Sequence, residues 1–106
     1  MLTLHLKKEW FDKIKSGEKT HEYRKYDYWY PIVCKKNNLA KIENRPLMLC
    51  LIWGYNVKPE QRAERIIYAE VINIKVLWGN GHNTDGIPTP CIDIEFKLLQ
   101  EGVKNA

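Results

Sequence analysis

GEKTHEYR, residues 17–24, sits where the spacing of apolar residues changes from a helical to an extended period, and the fold is read outward from it. Before it, residues 8–16 place Trp10, Phe11 and Ile14 on one face and leave Glu9, Asp12, Lys13 and Lys15 for water, the pattern of a short amphipathic helix. Gly17 can take the positive φ that ends such a helix. Beyond it the chain is read as extended, with Thr20, Glu22 and Arg24 on one side and Lys19, His21 and Tyr23 on the other. A helix this short needs large apolar anchors to dock, so Trp10 and Phe11 are expected in the core.

Upstream, residues 2–6 alternate Leu-Thr-Leu-His-Leu, the period of a half-buried strand. Downstream, Tyr26, Tyr28, Trp29 and Tyr30 crowd in front of Pro31, which cannot donate to a sheet ladder. Read as an extended segment, this run buries some rings along a sheet edge and exposes the others, either as a shield for the edge or as a stacking platform for a base. Residues 35–38, Lys-Lys-Asn-Asn, read as a polar turn. The apolar run 47–53 fits a strand buried on both faces, with Cys50 a packed thiol. Residues 56–65 are polar, a loop or a short exposed helical turn. Residues 66–77 are rich in β-branched side chains and form a long strand whose alternation changes phase near Glu70, which predicts a bulge. Glycines and prolines make 78–90 a long loop, of a length that is often functional. Residues 91–98 alternate again, with Ile92, Ile94, Phe96 and Leu98 opposite Asp93, Glu95 and Lys97. One helix followed by four or five strands with short connections is an α+β domain built on a small, mostly antiparallel barrel, the helix packed beside it.

With 106 residues the chain supports one core, expected over 1–100 with a frayed tail at 101–106. Apolar residues at 44% and charged residues at 28% exclude disordered and fibrous classes. No apolar run is long enough to span a membrane, no leader pattern opens the chain, and three cysteines without paired spacing argue against a disulfide framework. A cytoplasmic protein, favoured as a monomer and without cofactor, is expected. His5, His21 and His82 lack metal-ligand spacing, so no metal site is expected, and His21 is read as a surface residue. The net charge of +4 is unevenly spread: residues 1–36 hold nine Lys or Arg against five Asp or Glu, while the remainder balances. The excess surrounds residues 17–24, which suits a phosphate-bearing partner and equally suits a solvated, lysine-rich helix.

The motif itself carries a resemblance. Leu4-x-Leu6-Lys7 followed by Phe11-x-x-Ile14-x-Ser16-Gly17-x-Lys19-Thr20-x-Glu22-x-Arg24 resembles the opening of ASCH domains, whose signature is GxKxxExR in a PUA-like barrel. The continuation Arg24-Lys25-Tyr26-Asp27 is similar to a branch found widely in bacteria and their phages. Late strands at Tyr68-Ala69-Glu70-Val71 and at 92–96 resemble the family weakly, and Asn44-Arg45-Pro46 replaces its usual glycine-aspartate turn. The resemblance implies a cleft between helix and barrel that takes RNA or a modified nucleoside or nucleotide, contacted by Lys19, Glu22 and Arg24, with Lys7, Lys25 and Tyr26 as further ligand contacts. Some members resemble amidohydrolases of acetylcytidine with a threonine nucleophile. That position is Glu22 here, so the mechanism does not carry over.

From the residues alone two functional classes stand. As a binding site, Arg24 offers a planar fork, Lys19 and Lys7 add positive charge, and Glu22 accepts from an exocyclic amine. As a hydrolase, whether amidohydrolase or ribonuclease, Glu22 is the general base and Lys19 assists the leaving group, with Arg24 facing the oxyanion. Against both stands a purely structural ion-pair network fastening helix to barrel, and a protein-interaction module is a further reading.

Overall fold

The computed structural model describes residues 1–99. The expected tail at 101–106 lies outside the described residues. The elements run β1 (Leu2–Leu6), α1 (Lys8–Lys15), β2 (His21–Lys25), α2 (Tyr26–Ile42), β3 (Met48–Trp53), a 3-10 turn (Pro59–Gln61), α3 (Arg62–Arg65), β4 (Ile66–Leu77) and β5 (Cys91–Leu98). The five strands form one sheet in the order β1-β3-β4-β5-β2. β1 runs parallel to β3 and the other three pairings are antiparallel. The expected α+β architecture is therefore present, with the sheet curled into a partial barrel. Its two end strands are bridged by a side chain: the Arg24 guanidinium of β2 donates to the His5 carbonyl of β1 at 3.0 Å.

Burial follows the apolar periods. Leu2, Leu4 and Leu6 of β1 and Leu49 and Leu51 of β3 join Ala69, Ile92, Ile94 and Phe96 in the core, with Phe11 and Ile14 of α1 docked onto them. Cys50 is buried, and all three cysteines are free. The bulge expected near Glu70 is found as a register shift between Val71 and Asn73. Gly17 has φ +86, and the Lys19 amide turns back to the Lys13 carbonyl at 3.0 Å, satisfying an acceptor that the end of α1 would leave unpaired.

Residues 26–42 differ from the expectation of an extended aromatic run and a polar turn at 35–38: they form α2. Tyr26, Trp29, Val33 and Ala40 recur at the helical period, and this stripe packs against the core. Pro31 lies inside the helix, where it forfeits one backbone hydrogen bond. The aromatic rings therefore divide by helical face rather than by strand alternation. Tyr26 stacks on Tyr30 one turn later, with centroids 4.7 Å apart, and Tyr28 points to solvent. Asn44, at φ 54, takes the left-handed conformation that ends α2, which is how Asn44-Arg45-Pro46 performs the work of a glycine turn. No helix among the described residues is long and apolar enough to cross a membrane.

Candidate functional site

Three local devices position the motif. The wrap at the end of α1 fixes the backbone of Lys19 just before β2, so strand alternation does not govern its side chain. Pairing of Glu22 with Ile94 and of Arg24 with Ile92 aims both side chains at the gap between β2 and β1. In that gap Arg24 is held on three sides. Its Nε and Nη2 each lie 2.8 Å from Glu22 Oε2, Nη2 also reaches the His5 carbonyl, and the guanidinium carbon lies 5.2 Å from the centre of the Trp29 ring.

Lys19 completes the group. Its Nζ stands 3.5 Å from Glu22 Oε1 and bonds the carboxylate of Asp85, and it lies 5.4 Å from the Trp10 ring centre and 5.1 Å from that of Tyr23. The side chains of Lys19 and Glu22 are only 9% and 8% exposed, so each charge requires its partners, since unpaired charge away from water is costly. The structural network and the cleft are thus the same object. Lys19, Glu22 and Arg24 form a continuous ion-paired chain, and they also line a cleft of about 380 Å³. Lys7, just ahead of α1, lies on its rim, and Asp85 and Ile87 close it from the loop between β4 and β5.

The lining carries three cations, Lys7, Lys19 and Arg24, and three carboxylates, Glu9, Glu22 and Asp85. Their formal charges cancel. The walls include Trp10 and Tyr23. Burial first, and then the carboxylates of Asp93 and Asp85, push the Tyr23 phenol above its ordinary value, which keeps it a neutral hydroxyl at the cleft.

Of the other expected ligand contacts, Lys25 is exposed at the last position of β2 and Tyr26 packs between Tyr30 and Trp78; neither lines the cleft. Trp10 corrects the expectation of two core anchors: Phe11 is buried, whereas Trp10 is half-buried and forms a cleft wall. Tyr23, expected on the far side of the strand, also reaches the cleft. His21 is not a free surface residue. The β2–β5 pairing brings its Nδ1 to 2.7 Å from Oδ1 of buried Asp93, a carboxylate that needs a donor there. Among the described residues no group of three or more His, Cys, Asp and Glu side chains is arranged to hold a metal.

Three buried or half-buried groups make stability depend on alkaline pH. Burial pushes up the thiols of Cys50 and Cys91, the latter aided by Asp93, and Tyr23 is raised as described. Each folded-state pKa lies above its unfolded value, so the stability these groups contribute is complete below the unfolded values and lost as pH rises through the folded ones. The melting temperature should fall from about pH 9 upward. Tyr23→Phe should flatten the upper part of that decline; a melting temperature constant across this range would contradict the assignment.

Fold and site together define an α+β, PUA-like domain with an ion-paired, aromatic-walled cleft between its first helix and the end strands of its sheet. The family model described as ASCH domain matches residues 4–80, and the chain belongs to the ASCH domain family, which is generally associated with RNA binding. No curated protein matches the chain at a significant level of similarity. The family match covers Lys7, Lys19, Glu22 and Arg24, whereas Asp85 and Ile87 lie beyond it.

Proposed function

We propose that the cleft binds a base of RNA or of a modified nucleoside, with Glu22 and Arg24 meeting the hydrogen-bonding edge and Trp10 and Tyr23 flanking the ring. The observation that carries this reading is the balance of charge inside an aromatic-walled cleft. A phosphate clamp needs surplus positive charge. A neutral heterocycle needs donors and acceptors fixed in place and a flat surface to lie on, which aromatic side chains provide. Arg24, held by Glu22, His5 and Trp29, is a pre-positioned fork that loses little freedom on binding. Lys7 on the rim supplies a positive charge that suits backbone phosphate.

Calorimetric titration of a short single-stranded RNA tests the reading. Arg24→Ala should weaken binding by roughly 10- to 100-fold, the range for loss of one good base contact. Affinity unchanged in that variant would remove Arg24 from the site.

The hydrolase reading receives less support. Glu22 Oε2 accepts from Arg24 Nε and lies 2.8 Å from Nη2, and Oε1, 3.5 Å from Lys19, is the one oxygen left to meet a base edge, so no second acceptor remains to activate a water. Incubation with acetylcytidine should therefore release no cytidine. Turnover that disappears in Glu22→Gln would replace the binding reading with catalysis.

A further inference from the structure

On the far side of Lys19 lies a second cavity of about 340 Å³. It shares Trp10, Lys19, Tyr23 and Asp85 with the first, so the ion pair between Lys19 and Asp85 stands in the wall common to both. The two cavities differ in chemistry. Both are walled by Trp10 and Tyr23, but the first adds Ile87 and the Glu22–Arg24 pair, whereas the second adds the opposite charges of Lys13 and Glu18 with the Thr20 hydroxyl, the His21 imidazole and the Asn83 amide. Hydroxyl, imidazole and amide groups suit the hydroxyls of a ribose better than the face of a base.

We propose that the two cavities are halves of one groove for two consecutive nucleotides, and that the phosphodiester joining them takes the place of the Asp85 carboxylate on Lys19. This rests on the base-binding reading of the first cavity and extends it across the dividing ion pair. Lys19 is nearly buried and keeps an anion beside it in either state, so the exchange replaces one counter-charge with another rather than stripping the ammonium bare. Asp85 is the mobile partner of the two on structural grounds. Its side chain is 27% exposed against 9% for Lys19, and it sits on a loop outside the sheet, whereas Lys19 is anchored by the end of α1. With Asp85 displaced, the first cavity carries one surplus positive charge, which is what an entering phosphodiester requires. In the free protein the same carboxylate repels anions, so a ligand without a flanking base gains nothing by entering through its phosphate.

The four ribonucleosides and their homodinucleotides, ApA, CpC, GpG and UpU, titrated calorimetrically into the wild-type chain and Asp85→Asn, test this. For the base that binds, the dinucleotide should bind tighter than the nucleoside, and Asp85→Asn should tighten the dinucleotide roughly tenfold, well beyond any change it makes in nucleoside affinity. Asn83→Ala, in the second cavity, should weaken the dinucleotide alone. If the nucleoside binds while both variants leave the dinucleotide unchanged, the bipartite groove is wrong and the base-binding reading survives. If neither nucleoside nor dinucleotide binds, the bipartite groove falls, and with it the reading of the cleft as a site for an unmodified RNA base.

Discussion

Glu22→Ala should lower the stability of the domain by about 3 kcal/mol, the lower part of the range for removing one member of a buried ion pair. The carboxylate is the junction of the network: Arg24 reaches it through two nitrogens at 2.8 Å and Lys19 approaches it at 3.5 Å. Its removal leaves two cations in a region where the lysine side chain is 9% exposed. The remaining partners, Asp85 for Lys19 and the His5 carbonyl for Arg24, keep the loss from reaching the top of the range. Glu22→Gln retains an amide oxygen for the guanidinium and should cost less. Urea denaturation measures both. A loss below about 1 kcal/mol for the alanine variant, as for an exposed pair, would show that the cluster is solvated and not part of the frame.

Phe11→Ala should cost about 3–5 kcal/mol, as for other aromatic truncations in a core. Phe11 is 1% exposed, and its ring centre lies 6.1 Å from that of Trp53. The total stability of such a domain is about 5–15 kcal/mol, so this single truncation removes a large fraction of it. The effect extends to the cleft. α1 has eight residues, too few to hold a helix by themselves, and it is docked through Phe11 and Ile14. Loosening it displaces Trp10, the cleft wall, and Lys7, the rim cation. Trp10→Ala, by contrast, removes a half-buried ring and should weaken RNA binding far more than it weakens the fold. Urea midpoints and calorimetric affinities for the two variants separate the roles of these neighbours. A Trp10 variant with full affinity would take that ring out of the site, and a Phe11 variant as stable as wild type would contradict the docking of α1.

The strands and α1 were legible because their apolar residues alternate or recur cleanly. Leu2, Leu4 and Leu6 read as one face of a strand, Phe11 and Ile14 as one face of a helix, and the phase change near Glu70 anticipated the shift between Val71 and Asn73. α2 was not legible from its aromatic start. Four rings beside Pro31 suggest an extended edge, and the helical stripe through Tyr26, Trp29, Val33 and Ala40 emerges only when the window spans the polar residues 35–38. The motif residues Lys19, Glu22 and Arg24 were visible as charge types at close spacing, and the structure brings all three to one cleft. Asp85 was not visible as a partner. It lies 66 residues from Lys19 in the chain, and only the closure of the sheet brings the two together; the length of its loop was the sole signal. His21 and Asp93 illustrate the same limit, since their pairing depends on β2–β5 register.

In the proposed function the cleft formed by Lys19, Glu22 and Arg24 takes the base of an RNA ligand. Amide and indole chemical-shift mapping by NMR during titration with a short single-stranded RNA tests it most directly. The largest shifts should fall on the backbone amides of Lys19, Glu22 and Arg24 and on the indole N–H of Trp10. Shifts confined to the exposed face of α2, around Tyr28 and Leu39, with the cleft unchanged, would contradict it.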